Sequence, residues 1–363
     1  MKNIEISVLD NIGSIVDEVF LAVPRVLNLF RPVRSIKRDT YEEQIDFYLT
    51  KGYIDEPARF FSLPADTPDY TVVDEQPYFD GKMQLISYPS GYETRNPQIS
   101  NMFDNFIENR TGYLVRWTHG VPGNKTVLCL HGYLLGEPRQ AQRMFNIDCM
   151  FSLGVDVALF ITPFHWRRAP SSSLQRGIFL QPDDVVMTAE CVGQSIYDLH
   201  STMKILNDLG SCRTGIIGAS LGGYIAALYV CLADSASFAA MMVPAVNLSQ
   251  PFGPESAKLP FAVDNAFSDK IKRAWEMHSP MKLKPMIPLD NILIVASKGD
   301  KLCPFHNVLT LCENWGWPPH LFLTGGHWLV FNNTRGKAWY QFLEHMDFTS
   351  KQLDGGFDPA PHH

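Results

Sequence analysis

Gly218-Ala219-Ser220-Leu221-Gly222 sets a serine between two glycines, each two positions away. Such a serine is a candidate nucleophile when a strand feeds the turn and a helix leaves it. Thr214-Gly215-Ile216-Ile217 reads as that strand, and the apolar run Leu221–Ala233 as that helix. The glycines relieve crowding, because positions two before and two after the serine face strand and helix atoms with no room for a Cβ. The helix start also directs N–H groups and a positive dipole end toward developing negative charge. A serine hydroxyl needs a base to take its proton. His327 is the candidate, following the strand His320–Thr324 after Gly325-Gly326, a hinge that lets an imidazole curl over the sheet edge. Asp300, at the end of Ile292–Gly299, is the candidate orienting carboxylate. Its competing role is that of a turn residue, which Gly299-Asp300 suits. Asp234 is the rival acid, but it ends the helix after the serine, away from the reactive strand ends.

An anion formed at Ser220 needs donors. Thr126–Leu130 reads as a strand with His131-Gly132-Tyr133 at its carboxyl end. Gly132 lets the chain bend close, and the N–H of Tyr133 or Leu134 can point inward. The N–H of Leu221 is the second donor. His131 is read as bracing the loop by hydrogen bonding. His165 and Arg167 lie near strand ends and are candidate substrate contacts, together with His131, Gly132 and Leu134. The competing roles are a structural histidine for His165 and a solvated or ion-paired loop for Arg167 and Arg168. Gly120-Val121-Pro122-Gly123-Asn124-Lys125-Thr126 mimics a phosphate loop, but its glycine spacing is wrong and the strand follows it, so it reads as a hairpin turn. No His, Cys or carboxylate group shows metal-ligand spacing, so neither a metal nor an organic cofactor is expected.

These residues need a frame. Met83–Tyr88, Tyr113–Thr118, Thr126–His131, Asp156–Ile161, Thr214–Gly218, Phe238–Val243, Asn291–Ala296 and His320–Thr324 read as strands, with helices over Asp184–Leu209 and Leu221–Ala233. Short apolar strands separated by helices indicate a mostly parallel sheet covered on both faces. Residues 1–80 read as a helical N-terminal extension, with helices over Ile15–Phe30 and Tyr41–Lys51. The first of these is apolar almost all round. It docks on the main domain or makes a homodimer, or else contacts a membrane surface; Asp17 and Glu18, where a cationic face would be needed, favour docking. Residues 81–347 form the main domain, with insertions over Phe164–Asp183 and Asn247–Leu289. The second insertion (247–289) reads as a small cap or lid, and its Phe252, Pro254, Leu259, Phe261, Phe267, Trp275 and Met277 either accept an apolar acyl group or pack the cap down. Residues 348–363 read as a flexible tail.

Composition narrows the partners. Of 363 residues 45% are hydrophobic, which excludes disorder of the whole chain, and the net charge is −7 without a Lys/Arg cluster, which argues against nucleic acid. The seven cysteines are odd in number, lack CxxC spacing and lie mostly in apolar segments, so reduced thiols and a cytoplasmic location are expected. Met1-Lys2-Asn3-Ile4-Glu5 lacks a signal pattern, and the longest apolar run, Phe238–Val246, falls short of the ~20 residues that span a bilayer.

The elbow, downstream acid and histidine, and strand-end loop, in this order over roughly residues 80 to 345, resemble the α/β-hydrolase superfamily. The departure is His131-Gly132-Tyr133 in place of the His-Gly-Gly-Gly of many lipases and esterases. The resemblance implies an α/β-hydrolase fold with a sheet of the eight-stranded type. It also implies Ser220 as nucleophile, His327 as base, Asp300 as acid, and the Tyr133 and Leu221 amides as oxyanion hole. Carboxylic-ester hydrolysis of a small ester or acyl substrate is the implied activity. An acyltransferase, thioesterase or amidase would use the same triad, and a catalytically silent binding module would share the fold.

Overall fold

Neighbouring residues of a strand point to opposite faces of its sheet, and here both faces are apolar. Leu128, Leu130, Ala158, Phe160, Ile216, Met241, Ile292 and Ile294 join one core, while Val127, Cys129, Val157, Leu159, Ile217, Ala240, Leu293 and Val295 join another. The sheet must therefore be covered twice. The computed structural model describes residues 35–171, 184–248, 259–328 and 337–349. The helix expected over Ile15–Phe30, residues 172–183 of the first insertion, Phe252 and Pro254 of the second, and the tail from residue 350 lie outside the described residues.

The strands are β1 (Thr71–Tyr78), β2 (Gly81–Pro89), β3 (Thr111–Thr118), β4 (Lys125–Leu130), β5 (Asp156–Phe160), β6 (Arg213–Ala219), β7 (Ala239–Met242), β8 (Ile292–Ser297) and β9 (His320–Leu323). They form one sheet in the order β1-β2-β3-β5-β4-β6-β7-β8-β9. From β5 to β9 every pairing is parallel, whereas β1, β2 and β3 join through antiparallel pairs. Among the described residues the sheet has nine strands, where eight were expected. The additional strand is β1, which falls in the segment read as helical extension. Its residues are exposed almost throughout, so no buried apolar alternation marked it. The expected boundary at residue 80 thus runs through the β1–β2 hairpin, where Tyr78 pairs with Gly81.

The longer helices are α1 (Arg38–Thr50), α2 (Pro138–Phe145), α3 (Val185–Asp208), α4 (Leu221–Val230), α5 (Asn265–Trp275), α6 (Phe305–Trp315) and α7 (Lys337–His345). α1, α3, α4, α5 and α6 cover the first core, and α2 and α7 the second. α3 starts on an Asp184 cap, whose Oδ1 accepts the Met187 N–H at 3.2 Å. It is buried almost all round, because α1 lies outside it. α5 belongs to the insertion read as a cap, yet it packs on α1: Tyr41, Phe261 and Phe267 meet ring to ring, and Lys270 pairs with Asp46 at 2.9 Å. Phe267, Trp275 and Met277 are buried in the first core. At the chain's other end Phe348 is buried against Phe238, so the segment read as a tail begins packed. Among the described residues no helix is long and apolar enough to cross a membrane.

One carboxylate anchors the N-terminal segment. Glu190 of α3 is fully buried and accepts from Tyr48 Oη at 2.7 Å, Tyr92 Oη at 2.7 Å, and the N–H groups of Arg95 at 2.8 Å and Asn96 at 3.1 Å. Burial raises its pKa, and the four donors pull the other way. Removing the acceptor strands all four donors at once. Glu190→Ala is expected to lower the unfolding free energy by about 3–5 kcal/mol, and Tyr48→Phe by about 1.5–3 kcal/mol, in denaturant titration.

Candidate active site

Parallel strands bring their carboxyl ends to one edge, and that edge collects the residues singled out by type and spacing. Ser220 joins β6 to α4 with φ 55° and ψ −111°, a conformation that costs a non-glycine residue about 1–3 kcal/mol. The turn is held from both sides. Ser220 N–H donates to Met242 O at 2.8 Å, and Ser220 O accepts from Tyr224 at 3.0 Å and from Ala245 at 3.1 Å. A Cβ on Gly218 would strike the Gly222 backbone, and one on Gly222 the Leu130 backbone. Both glycines answer to crowding, as expected. Leu221 opens α4, so its N–H lies outside the helical ladder, at the positive end of the dipole.

Asp300 and His327 come together from the loops after β8 and β9. Asp300 Oδ2 lies 2.7 Å from His327 Nδ1 across a separation of 27 residues, and both side chains are buried. Asp300 is also a turn residue: its Oδ1 accepts the N–H groups of Leu302 at 2.9 Å and Cys303 at 2.7 Å. The two competing roles of Asp300 are therefore one arrangement. The loops are tied by main-chain bonds from Lys298 N–H to Leu323 O at 2.9 Å and from Gly299 N–H to Gly325 O at 3.0 Å. Gly325 has φ 108°, which suits glycine. Burial alone would lower the pKa of His327. The Asp300 charge and the hydrogen bonds to Asp300 and Cys303 outweigh it and hold the ring well above the usual histidine value. Asp234, the rival acid, is exposed beyond the far end of α4.

Cys303 is the residue that sequence reasoning missed. Its Sγ lies 3.9 Å from Ser220 Oγ, and it is hydrogen-bonded to His327. Burial raises its pKa, against the pull of the neighbouring imidazole. Its place three residues after Asp300, on the turn that the acid closes, is the signal that was available. No local spacing marks a metal-ligand set, but side chains from separate loops meet at the same place. Among the described residues Asp300, Cys303 and His327 bring one ligand atom each within 4.8 Å of one another. Local spacing does not reveal such a group, because His327 arrives from another loop.

The loop after β4 lies against the elbow, with Ser220 Cβ and Ala219 O each 3.6 Å from where a Cβ on Gly132 would sit. That is ordinary contact, so glycine is not forced there. The bend lies further on, at Leu134 (φ 64°) and Gly136 (φ 119°), with Leu135 N–H donating to Gly132 O at 3.3 Å. Tyr133 and Leu134 occupy the middle of this turn. His131 is fully buried, and its Nε2 accepts the Thr162 N–H at 3.1 Å, which leaves its proton on Nδ1 for Gly132 O at 2.8 Å. Burial pushes its pKa down to about 4, so the ring is a neutral strut between the loops after β4 and β5.

His165 is also buried, 4.9 Å from the His131 ring and 6.0 Å from that of Tyr133, with Nδ1 on Pro163 O at 2.8 Å. Arg167 lies over the rings of Trp166 at 5.0 Å and Tyr113 at 5.9 Å, and Arg168 is buried against Asp198 at 2.6 Å. Arg168 thus has the ion-paired role, whereas Arg167 is exposed beside the two rings.

No family model matches the chain. It is 26% identical over 292 residues to uncharacterized proteins of Mycobacterium tuberculosis strains CDC 1551 and H37Rv, a match covering 78% of this chain and 68% of each relative. Among solved structures, acetyl xylan esterase 1 from Thermoanaerobacterium is similar with a TM-score of 0.57 at 13% identity, covering 86% of this chain and 99% of that one. An acetyl xylan esterase from Paenibacillus gives 0.54 at 14% identity, covering 88% and 98%. An S-formylglutathione hydrolase from Agrobacterium tumefaciens gives 0.51 at 12% identity, covering 76% and 99%. At such identities the likeness speaks for architecture alone. With its mixed sheet, flanking helices and strand-end serine turn, the chain has the α/β-hydrolase fold.

Proposed function

We propose that the protein is a serine hydrolase cleaving carboxylic esters of short acyl chains through an acyl-enzyme on Ser220. The observation that carries this reading is the buried 2.7 Å contact between Asp300 and His327 at the sheet edge that also holds the strained Ser220 turn. In the proposed reaction Ser220 Oγ attacks the carbonyl carbon as His327 takes its proton. Asp300 keeps the ring proton on Nδ1 and stabilises the imidazolium. The Leu221 N–H and the N–H of Tyr133 hold the oxyanion, each donor contributing about 2.7–4 kcal/mol in the transition state. His327 then protonates the departing alcohol, the acyl group stays on Ser220, and water activated by the same imidazole releases the acid.

The packing of the second insertion supports a small acyl group. Of the two roles open to Phe267, Trp275 and Met277, lining an acyl pocket or packing the insertion down, their burial in the core supports the second. The acetyl xylan esterases of similar fold make acetyl esters a reasonable first panel. All seven cysteines are free thiols, which suits a cytoplasmic enzyme.

On an activated acetyl ester, Ser220→Ala is expected to lower kcat/KM at least ~1,000-fold. Unchanged turnover would refute Ser220 as the nucleophile, and the absence of both turnover and fluorophosphonate labelling in folded wild type would favour a silent module. The base must be neutral to act, so a raised histidine pKa moves the acidic limb of the rate profile upward. kcat/KM is expected to climb through an inflection above the ordinary value of ~6.5, and Asp300→Asn to shift that inflection down while lowering kcat by about 10⁴. A profile flat between about pH 5 and 8 would speak against His327 as base.

A further inference from the structure

Cys303 has no assigned part in the proposed reaction, yet it occupies the centre of the group. We propose that Asp300, Cys303 and His327 form a binding site for a borderline-soft divalent cation of the zinc class, whose occupancy excludes the proton relay. The three side chains supply a carboxylate oxygen, a sulfur and an imidazole nitrogen, all buried and mutually within 4.8 Å. Zinc holds such donors at about 2.0–2.3 Å in a tetrahedron, which places them about 3.3–3.8 Å apart. Seating a cation takes shifts of up to about an ångström, drawing the widest pair together and, where Nδ1 is the ligand, opening the 2.7 Å contact between Asp300 and His327.

The group is organised beforehand. Asp300 Oδ1 fixes the amides of Leu302 and Cys303, so carboxylate and thiol are set on one turn, and the bond from Gly299 to Gly325 brings the histidine loop to them. Ser220 Oγ, 3.9 Å from Cys303 Sγ, marks the side on which a hydroxyl or water completes four ligands. A second buried aspartate with a histidine partner is different. Asp156 already accepts from Arg116, Thr118, His119 and Asn124, which closes it to a cation.

Binding displaces the protons of both ligands: Cys303 S–H becomes a metal-bound thiolate, the His327 nitrogen that takes the cation gives up the proton it carries, and these protons leave to solvent. Sulfur and nitrogen donors select Zn²⁺ and Cd²⁺ over Mg²⁺ and Ca²⁺, which prefer oxygen ligands. With a cation on His327 the ring cannot accept the Ser220 proton, so metal and ester turnover compete.

The test is a Cd²⁺ titration of the full chain, followed by the ultraviolet charge-transfer absorption of the cadmium–thiolate bond and by equilibrium dialysis with Zn²⁺. Wild type is expected to bind one equivalent more than Cys303→Ser or Cys303→Ala, with excess Mg²⁺ failing to displace it. His327→Ala, which keeps the thiol, should weaken that equivalent about 100-fold or more, beyond the 10–100-fold typical of outer partners. Cys149 and Cys212, which are not fully buried, give a background common to all variants. Thermal melting identifies any variant that has failed to fold. Identical spectra and stoichiometry in wild type and both Cys303 variants would overturn the site. This readout does not depend on ester turnover: an active esterase with no Cys303-dependent cadmium leaves the hydrolase reading standing, and an inactive protein that binds it leaves the metal site standing.

Discussion

Everything at the sheet edge depends on a backbone turn that the chain would not adopt unaided. Ser220 sits at φ 55° with a side chain, a conformation that persists only where the surroundings over-determine it. Here they do so with main-chain atoms alone. Met242 O takes its N–H, Tyr224 and Ala245 donate to its carbonyl, and the backbones of β4 and α4 close in so far that Gly218 and Gly222 have no space for a methyl group. Side chains can swing away, whereas backbone atoms cannot. The serine is thus held by the least adjustable parts of three neighbouring strands, and its hydroxyl is carried out of the sheet at the start of a helix.

The acid and the base are positioned by a different economy. An unpaired carboxylate at that depth would be costly, and Asp300 avoids the cost by dividing its two oxygens. Oδ1 satisfies amides of its own turn, and Oδ2 meets His327 Nδ1. The same residue shapes the loop and orients the ring, so movement of one disturbs the other. Cys303 is carried into the group by that shared turn, which explains why a thiol lies beside Ser220 although a hydrolase reaction makes no demand for it.

How much of this was legible follows from how far each signal reaches along the chain. The parallel strands were visible because they are buried on both faces and read as continuous apolar runs, as in Ile292–Ser297. The elbow was visible because steric crowding acts on residues two positions apart. The Asp300–His327 pairing was accessible because both residues stand just beyond strands whose carboxyl ends must share an edge. β1 was not visible, since an exposed edge strand containing Asp74, Glu75 and Gln76 carries no apolar alternation. The role of α5 was left open for a related reason. Phe267 and Trp275 are equally suited to lining a pocket or filling a core, and only the arrival of Tyr41 from α1 decides between them. Cys303 was passed over as one of several thiols in apolar segments, because burial is common to most of the seven and does not show which has polar partners.

The loop after β5 shows why the polar residues near the edge are mostly struts. Phe164 and Trp166 both have positive φ, at 63° and 45°, so the loop carries strain at two side-chain-bearing positions. It is pinned by Arg168, fully buried, which donates to Asp198 at 2.6 Å, Ile161 O at 3.1 Å and Asn109 O at 3.0 Å. A buried ion pair adds little net stability over apolar packing, but losing one partner strands the other, so the geometry tolerates little drift. Because Thr162 N–H also donates to His131, this loop fixes the turn at Tyr133 and Leu134 through a single neutral imidazole. Charge at this end of the sheet is therefore spent on holding backbone in place, which leaves the Ser220 side of the edge to the hydroxyl, the imidazole, the carboxylate and the thiol.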